Sequence, residues 1–185
     1  KTISGVLLDA DSQPVRDAEL KASFKLESDH SFGLKPIFTD ERGEFRIENA
    51  TPGLGEYSAE VNAPGQMAEH VKLEFRSRPQ IIRLQRGRIL GGQVVEAGTG
   101  YVIPNVEVRA ADMSTYKLPM LKTKTDAAGR FEFTSLGDVE YQFFVEDGQQ
   151  TSNQKFRADG STNLTLKVTL YEWSKAKPKP ANTNS

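Results

Sequence analysis

Apolar and polar positions alternate along most of this chain. Ala18, Leu20, Ala22, Phe24 and Leu26 are separated by single, mostly polar residues, and the spacing returns in Phe45 and Ile47 and in Tyr57, Ala59 and Val61. It appears again in Val106, Val108 and Ala110, in Phe131 and Phe133, and in Leu164, Leu166, Val168 and Leu170. Successive side chains of an extended backbone point to opposite faces, so a period of two marks a strand with one side buried and one in water. Turn-forming groups stand between the runs: Asp40-Glu41-Arg42-Gly43, Ala63-Pro64-Gly65, Asp147-Gly148 and Asp159-Gly160. No stretch carries an apolar stripe at helical spacing. The pattern predicts an all-β chain in which each half forms about seven short strands, folded as a Greek-key β-sandwich.

The two halves are related in sequence. Thr39-Asp40-Glu41-Arg42-Gly43-Glu44-Phe45-Arg46-Ile47 matches Thr125-Asp126-Ala127-Ala128-Gly129-Arg130-Phe131-Glu132-Phe133, so Gly129 follows Gly43 by 86 residues. Upstream, Ser4-Gly5-Val6-Leu7-Leu8-Asp9 matches Gly91-Gly92-Gln93-Val94-Val95-Glu96, and Pro14 with the residues to 20 pairs with Pro104 and the residues to 108. Downstream, residues 55–61 match residues 138–145 around Tyr57 and Tyr141, and each copy closes on an alternating strand, Ile82-Arg83-Leu84 and Val168-Thr169-Leu170. Five matches in one order predict two tandem units, residues 1–86 and 87–174. The polar joint Gln85-Arg86-Gly87-Arg88 is too short to let them separate far. Residues 175–185 are rich in Lys and Pro, which favour extended backbone, and are expected to be a tail or linker.

The repeated pattern is Gly-x-hydrophobic, then Pro-x-x-acidic, then Thr-Asp-x-x-Gly-x-Phe, then a Gly/Asp-rich turn and a Tyr-bearing strand. It resembles the carboxypeptidase regulatory-like domain family, a prealbumin-like (Ig-like) sandwich appended to many extracellular proteins. The resemblance implies two such sandwiches in tandem, a part in a larger protein, and an extracellular, periplasmic or cell-envelope location. Both copies depart from the family's Pro-Gly-x-Tyr turn. The first has Thr51-Pro52-Gly53-Leu54-Gly55-Glu56, and the second Leu136-Gly137-Asp138-Val139. The motif residues themselves have structural tasks. Asp40 and Asp126 can accept backbone N–H groups two residues on. Gly43 and Gly129 allow positive φ. Phe45 and Phe131 are expected in the core, each contributing about 1.5–3 kcal/mol. Calcium takes about six to eight oxygens, far more than one carboxylate per turn supplies.

Composition narrows the chemistry. Of 185 residues, 37% are hydrophobic, enough for packed cores, yet no run of about 18 apolar residues could span a bilayer as a helix. A net charge of -1 provides no global field for nucleic acid, and the absence of Cys excludes disulfides, thiolate zinc sites and thiol catalysis. His30 and His70 are the two histidines. Asp29-His30-Ser31 has the residue types of a catalytic triad, but neighbours in sequence rarely converge on one substrate atom. Hydroxyisourate hydrolases of the transthyretin type carry several His and a terminal Tyr-Arg-Gly-Ser, whereas this chain runs Leu170-Tyr171-Glu172-Trp173. A zinc carboxypeptidase needs a large catalytic domain of its own. The Lys–Asn cross-link of pilin-type sandwiches begins at a first-strand Lys, and residues 3–9 and 89–96 contain none. No catalysis, cofactor or metal is expected.

Surfaces remain. Tyr171 and Trp173 are expected on one face of the last strand, opposite Leu166, Val168 and Leu170, with Phe144 also facing outward. Residues 27–34, and residues 113–118 with Tyr116, are expected to be contact loops. Exposed aromatics provide contact area at little entropic cost. Asn49-Ala50-Thr51 and Asn163-Leu164-Thr165 are formal glycosylation sequons. Two functions follow: a non-catalytic accessory or spacer module, or a module binding a polysaccharide or another protein through Tyr171, Trp173, Phe144 and Tyr116. In either case a monomer is expected, with no nucleic-acid partner and no membrane insertion.

Overall fold

A computed structural model describes residues 1–26, 30–146, 148–150 and 155–171. The first half forms β1 (Ile3–Leu8), β2 (Glu19–Leu26), β3 (Ser31–Gly33), β4 (Ile37–Phe38), β5 (Glu44–Ile47), β6 (Gly55–Asn62), β7 (Glu69–Leu73) and β8 (Gln80–Arg83). The second forms β9 (Arg88–Glu96), β10 (Glu107–Asp112), β11 (Leu121–Lys124), β12 (Arg130–Leu136), β13 (Glu140–Val145), β14 (Gly148–Gln150), β15 (Lys155–Arg157) and β16 (Leu164–Leu170). The described residues contain no helix and form eight strands in each half, where about seven were expected.

Each half is a two-sheet sandwich. In the first, β5-β1-β8 faces β3-β2-β6-β7, with β4 also paired to β2. In the second, β12-β9-β16-β14 faces β11-β10-β13-β15. The first and last long strands of each unit run parallel, β1 with β8 and β9 with β16, and the other pairs are antiparallel. The inward residues of facing sheets make one core per unit: Ile3, Leu7, Leu20, Phe45 and Val61 in the first, and Val94, Val108, Phe131, Phe143 and Val168 in the second. Thus β1, β2, β4, β5, β6, β7 and β8 correspond to β9, β10, β11, β12, β13, β15 and β16. β3 and β14 are additions, each extending one sheet edge.

The coordinates correct one part of the sequence alignment. The isolated bridge Leu8–Pro14 corresponds to Val95–Val102, and Thr39 and Thr125 bond to the carbonyls of Val15 and Ile103. Pro14 is therefore matched by Val102, and Pro104 falls at the place of Arg16. The chain shape drives the match: Asp17 and Asn105 both take positive φ, 54° and 56°, and both donate their N–H to the Thr carbonyl at 3.0 Å. Proline cannot reach that conformation. It occurs nearby only where φ is ordinary.

The joint is built from backbone. The loop between β6 and β7, residues 63–68, reaches into the second unit, where Ala68 is 1% exposed and belongs to that unit's core. The Ala68 N–H donates to the Ser135 carbonyl (3.0 Å), and the Ser135 hydroxyl donates to the Ala63 carbonyl (3.0 Å). The same loop holds the connecting segment: Met67 N–H donates to Gln85 O and Gly87 N–H to Gly65 O, both at 2.8 Å. A Cβ on Gly87 would lie 2.2 Å from the Thr134 carbonyl oxygen and 2.8 Å from Ser135 Cα, so only glycine lets the strands pass this closely. Arg86–Asp11 (2.6 Å) and Arg88–Asp138 (2.9 Å) flank the joint, but they are exposed and add little. The polar stretch 85–88 is therefore pinned along its length, and β9 already begins at Arg88.

Candidate functional site

The repeated motif builds turns. Asp40 Oδ1 accepts the N–H groups of Arg42 and Glu44 (both 2.9 Å), and Asp126 Oδ1 those of Ala128 (2.9 Å) and Arg130 (2.8 Å). Gly43 and Gly129 take φ of 72° and 71°. Behind each turn a buried Thr hydroxyl bridges two backbone groups. Thr39 Oγ1 accepts from Ala18 N (2.9 Å) and donates to Val15 O (2.6 Å), while Thr125 Oγ1 accepts from Val106 N (3.0 Å) and donates to Ile103 O (2.9 Å). The Tyr57 hydroxyl accepts the Thr51 N–H (3.0 Å), and the Tyr141 hydroxyl accepts the Gly137 N–H (2.8 Å), closing the turns that depart from the family pattern. The bonds named here all hold backbone.

The expected aromatic residues stand on separate elements. Tyr171 (45% exposed) is the residue that follows β16, which ends at Leu170, and Trp173 lies outside the described residues. Tyr116 (72% exposed) projects from the loop after β10, and Phe144 (42% exposed) stands on the outer face of β13. Of the two expected contact loops, residues 31–33 are strand β3, paired to β2 with Phe32 opposite Phe24. Residues 27–29 lie outside the described residues.

The second loop contains a residue that periodicity did not single out. Asp112, 4% exposed, accepts from Ser114 N (3.0 Å), Ser114 Oγ (2.9 Å) and Thr115 N (2.8 Å) through Oδ1, and from Thr115 Oγ1 and Lys117 N (3.2 Å) through Oδ2. Burial alone would push this carboxyl up. The hydrogen bonds from Thr115 and Ser114 outweigh it and hold the group well below the usual carboxylate range. The loop is thereby fixed in a form that places Tyr116 at φ 56°, a conformation bulky side chains rarely adopt. An Asp at the end of a strand followed by Ser-Thr was the available signal, because side-chain carboxylates favour such turns.

Around Phe144 the outer face of β11-β10-β13-β15 can be compared with the equivalent face of the first unit. There Lys21 stands opposite Glu60, and the cations are matched: Lys21 with Glu19 (3.5 Å) and Glu60 (4.0 Å), Lys72 with Glu56 (3.1 Å). In the second unit Arg109 takes the place of Lys21 and faces Phe144 instead of a carboxylate. Lys122 continues the row on β11, opposite Arg109. On β15, Lys155 faces Gln142, and Arg157 faces Glu140 where the first unit has Glu74. One carboxylate, Glu107, serves both Arg109 (2.5 Å) and Lys122 (3.6 Å), and Arg157 pairs with Asp138 (3.0 Å) at the rim. The fold is shared, but the charge balance is not: this face carries Arg109, Lys122, Lys124, Lys155 and Arg157 against Glu107 and Glu140, with Glu146 and Asp138 at its ends.

His30 and His70 lie on separate elements, before β3 and within β7, and among the described residues no group of three or more His, Cys, Asp or Glu is placed to hold a metal. A groove of about 320 Å³ runs between the units, with Asp17, Glu19 and Asn62 on one side and Lys122, Glu132 and Phe133 on the other. Among the described residues no helix is long and apolar enough to cross a membrane.

No curated protein sequence matches this chain. Among solved structures it is similar to a streptococcal ancillary pilin (16% identity, TM-score 0.39), with 93% of this chain covering 62% of that one. It is also similar to the shaft pilin SpaA from Lactobacillus rhamnosus GG (10% identity, TM-score 0.38, 92% of this chain and 98% of that one). A third is the group B streptococcus pilus 2b backbone protein (11% identity, TM-score 0.37, 95% and 94%). Residues 89–171, which make up the second sandwich from β9 to the end of β16, match the carboxypeptidase regulatory-like domain family.

Proposed function

We propose that this chain is a non-catalytic structural module, two regulatory-like sandwiches held in one fixed relative pose as a spacer within a larger cell-surface or secreted protein. The observation that carries this reading is the joint. A loop of the first unit contributes a core residue, Ala68, to the second, and backbone hydrogen bonds hold it there. A flexible linker would keep the units apart in water, whereas buried backbone groups at a joint must be paired and so lock its geometry. The first unit counts as a second copy of the family because the paired Asp, Thr and Tyr bonds recur at equivalent positions. The match of residues 89–171 to the carboxypeptidase regulatory-like domain family, whose sandwiches are appended to many extracellular proteins, supports the location.

The chain has no Cys, so a spin label at Arg46→Cys and another at Thr169→Cys would be unique reporters on exposed strand positions of the two units. A spacer requires one narrow distance distribution, unchanged by salt. A broad or bimodal distribution would remove the reading.

A further inference from the structure

We propose that the outer face of β11-β10-β13-β15 binds a linear acidic polysaccharide, with Phe144 stacking on a sugar ring and Arg109, Lys122 and Lys155 taking its carboxylates. The argument rests on the internal comparison that duplication allows. At equivalent places on one scaffold, Lys21 and Lys72 of the first unit each have a carboxylate on the neighbouring strand β6, Glu60 and Glu56. The second has exchanged the carboxylate opposite its central cation for a phenyl ring and Glu74 for Arg157. It also places Lys122 in the row where the first unit has Pro36. Packing does not require these exchanges, because the buried residues beneath them, Tyr141 and Phe143, are held by the inner face whichever residue points outward.

The site is a row. Lys122, Arg109 and Phe144 stand side by side across β11, β10 and β13, at strand spacings of about 4.8 Å, and Lys155 lies one strand further on beside Gln142. Side chains on a sheet face stand perpendicular to it, so the face is a flat strip with two cations on one side of a single ring and a third cation diagonal to it. A polymer with one carboxylate per sugar fits such a strip: the apolar face of a pyranose covers the ring while each carboxylate reaches a guanidinium or ammonium. A folded protein partner needs an apolar interface core, and this face offers a single exposed aromatic among charges. Single-stranded nucleic acid stacks on several aromatics in succession, and among the described residues of this face there is one. Glu107 holds Arg109 and Lys122 in place in the free protein.

The test is affinity electrophoresis of the whole chain through gels containing polygalacturonate, with dextran as the neutral polymer and polyglutamate and an oligothymidylate as the other polyanions. The expected result is retardation by polygalacturonate alone. Phe144→Ala, which keeps every charge, should weaken it by at least about tenfold. Lys122→Glu with Lys155→Glu should abolish it, and Lys21→Glu with Lys72→Glu on the first unit should leave it unchanged. All variants alter exposed side chains, and thermal melting verifies that each is folded. The proposal fails if polygalacturonate does not retard the chain, if Phe144→Ala binds as well as the parent (mere ion exchange), or if the first-unit variant loses as much. It fails equally if polyglutamate or the oligonucleotide binds as tightly.

Discussion

Removal of the Asp112 carboxylate should cost the second unit much of its margin of stability. The group is 4% exposed and accepts hydrogen bonds from Ser114, Thr115 and Lys117, most of them at 3.2 Å or less. A hydrogen bond to a charged group contributes about 1.5–3 kcal/mol net. The donors sit in a loop that can open to water when the acceptor is lost, so the bonds do not add, and the equivalent of one or two of them is lost. Asp112→Ala should therefore destabilise by about 3 kcal/mol. If the joint makes the chain melt as one unit, that lowers Tm by about 6–12 °C. Asp112→Asn keeps one carbonyl oxygen but turns an amide toward the Lys117 N–H, and should lose about half as much. Proton linkage gives a second signature. The folded carboxyl titrates below the unfolded value of about 3.9, so its contribution is whole above that pH and is lost as pH falls through the folded value. The stability gap between the parent and Asp112→Asn, measured by urea unfolding, should be flat from about pH 5 to pH 8 and should shrink below about pH 4. A Tm change below about 2 °C for Asp112→Ala, or a gap independent of pH throughout, would refute the reasoning.

Further outcomes follow from the same geometry. Thr39→Val and Thr125→Val each strip a buried hydroxyl that both accepts and donates, and should each cost about 2–3 kcal/mol by chemical denaturation, with similar values because the bonds are equivalent. Glu69 has a buried Oε1 without a hydrogen-bond partner among the described residues, and burial pushes its pKa up. Glu69→Gln should stabilise the chain by about 0.5–1 kcal/mol at neutral pH, with the gain vanishing as acid protonates the parent. Gly87→Ala places a Cβ against the Thr134 carbonyl and should loosen the joint, broadening the spin-label distances while leaving the circular dichroism of both sandwiches intact.

What could be read in advance was local. Alternation along β2, β6, β12 and β16 reports burial residue by residue, so the strands, the cores and the duplicated turns at Asp40 and Asp126 were legible. The joint was not, because its bonds link residues far apart in sequence, such as Ser135 with Ala63, and nothing near either residue marks the other. The proline match was off by two residues for a similar reason: the turn before β10 is set by the positive φ of Asn105, which identity alone does not reveal. The shared face expected for Tyr171 and Trp173 reaches beyond the described residues, since β16 ends at Leu170 and Trp173 is not among them. The charge imbalance around Phe144 emerged only once strand register placed Arg109, Lys122 and Lys155 on one face, since they are dispersed along the chain.

Residual dipolar couplings of backbone amides, measured in a dilute aligned medium, test the locked pair most directly. Couplings from β1 to β8 and from β9 to β16 should fit one common alignment tensor, and the Ala68 amide should exchange slowly with solvent because it is buried and bonded to Ser135. Two tensors of different magnitude and orientation, with a rapidly exchanging Ala68 amide, would contradict it.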